Sequence, residues 1–201
     1  MQPFVTVTGV AAPLARANVD TDQIMPKQFL KGIDRSGLAE GFLFDLRFYA
    51  PGAPRADFVL NRAPWCDARF LVVGPNFGCG SSREHAVWGM RQLGIRAVVG
   101  TNFGGIFYDN CLRNGVPAIL LPENDVDTLM MIAADPARSV LTIDLPAQSI
   151  TATDTQIRFP FERIHKDMLV RGLSAVDATL EHATTIRSFE QDYYCRNPWL
   201  A

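Results

Sequence analysis

The sequence predicts an α/β fold with a central parallel sheet, additional antiparallel strands and a helical C-terminal extension. Between residues 69 and 134, short apolar runs alternate with segments of helical periodicity. Strand and helix alternating at this spacing require right-handed crossovers, which make neighbouring strands parallel. After Pro136 the pattern changes to short strand candidates and then to helical ones. We expect one domain over 1–201, with its core over 1–136 and the additions over 137–201.

The first part of the chain predicts one strand and several loops. Residues 4–8 alternate and are rich in β formers, which indicates a strand. Residues 18–26 contain two acids and an asparagine within a short stretch, which predicts a loop. A short helical or irregular piece follows at 28–38, and a turn-rich linker at 49–57.

The rest of the chain is more regular. We predict strands at 69–74, 95–100 and 116–121, and helices at 82–93, 106–113 and 124–134. Asn124 or Asp125 is expected to cap the last of these helices, and Asn114-Gly115 to stop the helix before it. In the tail, we predict strands at 140–145, 149–153 and 155–159, and helices at 161–171 and 175–191.

Composition excludes several classes of function. The 201 residues carry a formal net charge of −2, and no clustered Lys/Arg suggests a nucleic-acid or anionic-membrane surface. No segment stays apolar over the roughly 20 residues that a membrane helix needs. The first residues lack a basic stretch followed by an apolar run, so we expect no secretory signal. We therefore expect a cytoplasmic protein that binds neither nucleic acid nor membrane.

The cysteines do not predict a metal site. Cys66, Cys79, Cys111 and Cys195 lie far apart, without a CxxC pair, and the chain has only three histidines. Zinc and iron–sulfur sites space their ligands more closely. We expect Cys66, Cys111 and Cys195 to be reduced thiols packed as small hydrophobic side chains, and this chain to hold no metal.

A glycine–serine turn at 76–85 carries the clearest chemical signal. It lies between the end of a predicted parallel strand and the start of a helix, where α/β proteins bind ligands. Gly78-Cys79-Gly80 allows the backbone to approach and cradle an anion, which the helix N-terminus also favours. Arg83 adds a fork for a carboxylate, and Ser81 and Ser82 add two hydroxyls.

A purely structural role and three common motifs account for this turn less well. Ser81 with Glu84 three residues later is the pattern of a capping box, which needs no function. That pattern does not account for the glycines, the second serine and the arginine. The turn also lacks a defining residue of each common motif. It has no third glycine for a dinucleotide fingerprint, no lysine for a P-loop and no second glycine for a hydrolase elbow.

Three ordered segments resemble a known family. They are 18–26 (NVDTDQIMP), 77–85 (FGCGSSREH) and 102–110 (NFGGIFYDN). They are similar to the swivelling domain of the aconitase superfamily, and their spacing resembles the small subunits of isopropylmalate dehydratases over essentially the whole chain. The resemblance implies a swivelling β/β/α-type domain and a heterodimer with an isopropylmalate dehydratase large subunit. It also implies interconversion of 2- and 3-isopropylmalate through 2-isopropylmaleate in leucine biosynthesis.

The resemblance assigns roles to the turn. It implies that Ser81, as an alkoxide, removes the substrate proton, and that Ser82 and Arg83 bind the substrate. A [4Fe–4S] cluster on the large subunit is expected to act on the leaving hydroxyl, with no cofactor bound by this chain. Asp22 matches an active-site aspartate, and we expect it to orient Arg83, although capping its own loop explains it nearly as well. We expect His85 to stabilise the helix start.

Substrate preference is left open. Phe29 and Leu30 follow the upstream motif and can line a pocket for an isopropyl group or form ordinary helix core. Lys31 can meet a carboxylate instead, which keeps a homoaconitase or a methyl-substituted malate dehydratase as alternatives. From other classes, a stand-alone anion-binding α/β module and a structural or regulatory subunit are alternatives.

Overall fold

The computed structural model describes residues 1–31 and 35–200. Its strands are β1 (Thr6–Leu14), β2 (Phe48–Ala50), β3 (Ala53–Pro54), β4 (Phe70–Val73), β5 (Ala97–Gly100), β6 (Ala118–Leu120), β7 (Val140–Asp144), β8 (Ser149–Ala152) and β9 (Thr155–Arg158). Its α-helices are α1 (Thr21–Ile24), α2 (Phe44–Arg47), α3 (His85–Gln92), α4 (Gly105–Arg113), α5 (Glu123–Ala134), α6 (Arg163–Arg171), α7 (Ala175–Leu180) and α8 (Ala183–Arg196). Short 3-10 turns lie at Lys27–Leu30, Val59–Asn61, Trp65–Asp67 and Pro198–Leu200.

One sheet organises the described part of the chain, with seven strands in the order β6-β5-β4-β1-β7-β8-β9. β6, β5, β4 and β1 pair in parallel. From β1 outward, β7, β8 and β9 pair antiparallel. The predicted α/β class, with a parallel sheet and antiparallel additions, is confirmed, and β1 is the strand where the two halves join.

The parallel half is covered on both faces. Side chains of β4 alternate, so that Leu71 and Val73 face one apolar cluster and Phe70 and Val72 face the other. All four are fully buried, as expected for a central parallel strand. The first cluster includes apolar side chains of α3 and α4, and the second includes those of α5. The ends of the parallel strands are therefore held between helical layers.

Three predictions for the first part of the chain need correction. The strand predicted at 4–8 runs over Thr6–Leu14, because Ala11–Leu14 pair with β4 although alanine is a poor strand former. The loop predicted at 18–26 contains the short helix α1, because the Asp20 carboxylate accepts a hydrogen bond from Gln23 N at 2.7 Å. The predicted linker at 49–57 holds the β2–β3 hairpin. Part of the piece predicted at 28–38, residues 32–34, lies outside the described residues.

The predicted helix caps are also wrong in part. α3 starts at His85 with Glu84 at its N-cap position and no side-chain cap, so Ser81 and Glu84 do not form a capping box. At α5 Pro122 occupies the N-cap position, in place of Asn124 or Asp125. The helix predicted at 175–191 is split into α7 and α8.

The thiols follow the prediction only in part. All four cysteines are free, but Cys66 and Cys195 are exposed and only Cys111 is fully buried. Burial raises the pKa of the Cys111 thiol well above its usual value. Of Cys66, Cys111 and Cys195, which were predicted to pack as small hydrophobic side chains, only Cys111 therefore does so.

The C-terminal extension packs only at its start. Leu169 of α6 is buried in the core, whereas α7 and α8 carry no fully buried side chain. Large apolar side chains there, such as Phe189 and Trp199, are mostly exposed. None of the helices in residues 1–31 and 35–200 combines the length and hydrophobicity needed to cross a membrane.

Candidate active site

Two of the three resemblance segments meet at the carboxyl edge of the parallel sheet. β1 and β4 are neighbours, so the loops that follow them run side by side. Gly78 N donates to Val19 O at 2.7 Å, and Thr21 N donates to Cys79 O at 2.9 Å. These bonds extend the parallel pairing of the two strands into the loops.

The third segment joins the turn from the other side, because β5 also neighbours β4. Gly104 N donates to Phe77 O at 2.9 Å. Gly78 has φ +75°, and a Cβ atom there would lie 2.2 Å from Cγ of Phe107, which is itself buried at the start of α4. Glycine is therefore required at position 78 both for its conformation and for the close packing of α4.

The two serines lie at the open end of this turn. Gly80, with φ +89°, redirects the chain, and both Ser81 and Ser82 are exposed. The backbone of Ser81 is nevertheless fixed, since its carbonyl accepts a hydrogen bond from Thr21 Oγ1 at 3.0 Å. Thr21 is only 1% exposed. The structure thus presents the serine hydroxyls to solvent on a backbone that is tied to the core.

Asp22 and Arg83 form an ion pair, and this is the contact that we expected between them. Arg83 Nη1 donates to Asp22 Oδ1, with the arginine side chain 18% exposed and the aspartate side chain 51% exposed. Asp20, and not Asp22, is the residue that caps the upstream loop. A guanidinium carries five N–H donors, so one contact to Asp22 leaves others for a substrate carboxylate.

Beyond Arg83, the turn is held by a residue that the sequence does not single out. Asn114 Nδ2 donates to Glu84 Oε1 at 2.6 Å, and Asn114 Oδ1 accepts from Trp88 Nε1 at 3.1 Å. His85 begins α3, three residues after the predicted helix start at 82, and its ring centroid lies 4.6 Å from that of Trp88. The sequence alone indicates only a helix stop at Asn114, because its partner Glu84 lies 30 residues away along the chain.

The segment proposed for substrate preference packs against the apolar cluster that also contains Phe77 of the turn. Phe29 and Leu30 belong to a 3-10 turn and pack partly buried against the first apolar cluster. The Phe29 ring centroid is 5.0 Å from that of Phe44 in α2. Lys31 is exposed. The partial burial of Phe29 and Leu30 therefore supports the alternative that they belong to the core. Their role in a substrate pocket stays a prediction.

The site offers hydroxyl, guanidinium and carboxylate groups. Among residues 1–31 and 35–200, no group of three or more His, Cys, Asp or Glu side chains could hold a metal ion. Cys79 is half-buried within the turn, and its carbonyl is used by the upstream loop. Such a site can bind a carboxylate and move a proton. The fold and site define a class: α/β proteins that present an exposed glycine–serine turn at the carboxyl ends of their parallel strands.

Comparison with known proteins places the chain within this class. Residues 1–124 match the model of the aconitase C-terminal domain. The chain is 52% identical over 200 residues to "3-isopropylmalate dehydratase small subunit 1" of Mannheimia succiniciproducens, covering 100% of this chain and 99% of the relative. It is 48% identical to "3-isopropylmalate dehydratase small subunit 2" of Salmonella typhimurium, covering 100% and 96%.

A solved structure agrees with this. The 3-isopropylmalate dehydratase structure from Methanocaldococcus jannaschii matches with a TM-score of 0.65 and 25% identity, covering 92% of this chain and 99% of that one. The chain belongs to the aconitase family and, within it, to the small subunits of 3-isopropylmalate dehydratase. The resemblance of the three segments is therefore confirmed, and with it the hydro-lyase class.

Proposed function

We propose that this chain, with a large subunit, interconverts 2-isopropylmalate and 3-isopropylmalate through 2-isopropylmaleate, a step of leucine biosynthesis in the cytoplasm. The observation that carries the proposal is the meeting of the upstream loop and the serine turn, where Asp22 pairs with Arg83. Full-length identity of about one half to named small subunits supports the same reaction.

Ser81 is the proposed base. In dehydration it takes the proton from the carbon next to the one that loses its hydroxyl, and in rehydration it returns a proton. A serine hydroxyl is a poor base, so the site must stabilise its anion. The glycine turn directly precedes Ser81 in the chain, so its remaining backbone N–H groups are the proposed donors, and Thr21 Oγ1 holds the carbonyl of Ser81. An anion on Ser81 would thus form on a pre-organised backbone.

Arg83 is the proposed carboxylate ligand. Its pairing with Asp22 orients the guanidinium and leaves further N–H donors for the substrate. Ser82, exposed beside it, is proposed to donate a second hydrogen bond.

Hydroxide is a poor leaving group, so its departure needs assistance by an acid, and the described residues include no group of three or more His, Cys, Asp or Glu that could hold a metal ion for this purpose. We propose that a [4Fe–4S] cluster on the large subunit supplies this chemistry. The exposure of Ser81, Ser82 and Asp22 in the single chain supports an active site that the partner completes. Closure by the partner would exclude water and strengthen the electrostatic contacts of Arg83.

Reconstitution tests the proposal. The chain is mixed anaerobically with the large, cluster-bearing subunit of its host, and the absorbance of 2-isopropylmaleate is followed. Each subunit alone is the control, and citrate, homocitrate and methyl-substituted malates are tested in parallel. We expect turnover of isopropylmalate only when both subunits are present.

Three results would change specific parts of the proposal. Activity on homocitrate or a methyl-substituted malate would keep the proton chemistry and change the substrate. Absence of activity with a loaded cluster and confirmed assembly would contradict the enzymatic proposal. Tight binding of carboxylates by the isolated chain would then favour an anion-binding module.

A further inference from the structure

The serine turn is tied to the rest of the molecule at both ends. At its start, Thr21 N donates to Cys79 O, and Thr21 Oγ1 donates to Ser81 O. At its end, the Glu84 carboxylate accepts from Asn114 Nδ2 at 2.6 Å. Between these ties lie Ser82 and Arg83, which belong to no helix or strand. Besides the ion pair of Arg83 with Asp22, the conformation of this short stretch therefore depends on how firmly its two ends are held.

Asn114 is well suited to hold the second end. It lies just after α4 and is only 7% exposed. Its Nδ2 donates to Glu84 Oε1 and also to Asn110 O at 2.9 Å, while its Oδ1 accepts from Trp88 Nε1. The donors and the acceptor of the amide are thus all used, which fixes the plane of the amide. A buried side chain that bonds two helices in this way is rigid.

We propose that Asn114 is a positioning residue for the reaction of the serine turn, acting through Glu84. The inference rests on the proposed function of Ser81 and Arg83. By holding the Glu84 carboxylate, Asn114 fixes the start of α3 and so the direction in which Arg83 leaves the backbone. The packing of α4 against Gly78 and the bond from Asn114 to Glu84 make one helix the support for both ends of the turn.

Two substitutions test this bond by reversing its polarity. Asn114→Asp removes the donor and brings a second carboxylate against Glu84, so the turn should loosen. Glu84→Gln alone keeps an acceptor oxygen and should leave kcat within about threefold of wild type. In the double variant, the new amide at 84 can donate to the new carboxylate at 114. This restores the bond between the two side chains, although not the one from Asn114 Nδ2 to Asn110 O.

The measurement is steady-state kinetics of the assembled, cluster-loaded enzyme with isopropylmalate. We expect Asn114→Asp to lower kcat by about 100-fold, because small misplacements of reacting groups have effects of this size. The change in KM should be smaller, and the double variant should recover at least about tenfold of the loss. Asn124→Asp, the same change at an exposed residue of α5, is the matched control and should leave kcat unchanged.

A second readout does not depend on activity. In the full isolated chain, NMR order parameters of the Ser82 and Arg83 amides should fall in Asn114→Asp and return in the double variant. If Asn114→Asp does not fold, Glu84→Ala cuts the same bond at the half-exposed partner and gives both readouts. If wild-type enzyme fails to turn over isopropylmalate, the proposed function fails, while the order parameters still decide whether Asn114 holds the turn.

Wild-type kcat in Asn114→Asp or Glu84→Ala, with only a lower melting temperature, would overturn the proposal and leave Asn114 a purely structural residue. Unchanged order parameters at Ser82 and Arg83 would overturn it as well. A loss of kcat that the double variant does not repair would show that the bond to Glu84 is not the cause.

Discussion

The serine turn and the C-terminal helices are both exposed, but only the turn is anchored. Ser81 and Ser82 face solvent, but the Ser81 carbonyl accepts a hydrogen bond from buried Thr21, and the Glu84 carboxylate that follows accepts one from buried Asn114. α8 also faces solvent, yet it carries no buried side chain. The comparison teaches that exposure alone does not mark a mobile or dispensable region. What distinguishes the two is whether exposed groups are bonded to buried ones.

The largest effect is expected where the turn carries its proposed chemistry. Ser81→Ala removes the base, so activity of the assembled enzyme should fall by about 10⁴-fold, the upper range for loss of a general base. Because Ser81 is exposed and its carbonyl bond to Thr21 is kept, the melting temperature of the chain should not change. Steady-state rates and thermal unfolding check this. Retention of activity would favour a structural or regulatory subunit.

The anchoring itself is tested by Gly78→Ala. The new Cβ would meet the Phe107 ring in a backbone conformation that alanine disfavours, so unfolding free energy should fall by about 3 kcal/mol. Gly52→Ala is the matched control, because Gly52 has φ +77° but nothing within 4 Å of a Cβ. It should cost about 1 kcal/mol. If Gly78→Ala and Gly52→Ala lowered the free energy of unfolding equally, as measured with urea, packing against α4 would not contribute to stability.

A smaller effect is expected from Arg83→Lys. A lysine keeps the charge but has no planar fork, so it cannot hold Asp22 and a substrate carboxylate with the same geometry. We expect KM for isopropylmalate to rise by about 10- to 100-fold, the equivalent of one charged hydrogen bond. Steady-state kinetics of the assembled enzyme measure it. An unchanged KM would mean that Arg83 does not bind the substrate.

The smallest effect is expected at the unanchored region. Removing residues 183–201 deletes α8 without removing a buried side chain, so unfolding free energy should change by no more than about 0.5 kcal/mol. Removing residues 161–201 instead also deletes the buried Leu169 and its bond to Phe4 N, and should destabilise the chain clearly. Urea unfolding distinguishes the two. A large loss of unfolding free energy on deletion of residues 183–201 would contradict the conclusion that α8 is not anchored.

Much of the fold could be predicted because its signals are local. The helix predicted at 124–134 is present as Glu123–Ala134, since apolar periodicity over three turns is a strong signal. The second half of β1 has no such signal. Its alanines and Pro13 do not favour a strand, and only their pairing with β4, far along the chain, makes them one.

Only part of the site could be predicted, because here too local signals can be read from the sequence and contacts between distant residues cannot. The glycine–serine turn is recognisable from adjacent residues, whereas the Asp22–Arg83 contact is expected only through the resemblance. Asn114 escapes sequence reasoning because an Asn-Gly pair after a helix is a common stop signal. Nothing in its neighbours along the sequence indicates that its side chain bonds Glu84 and Trp88.

The division of β1 has a consequence for synthesis on the ribosome. Its second half, Ala11–Leu14, finds its partner once β4 has been made, whereas Thr6–Val10 pair with β7 at Val140–Asp144. The parallel half can therefore assemble while the first half of β1 still has an open edge. Such an edge invites pairing with other chains until β7 emerges. We expect nascent chains that stall before residue 140 to be the species most prone to aggregate and most dependent on chaperones.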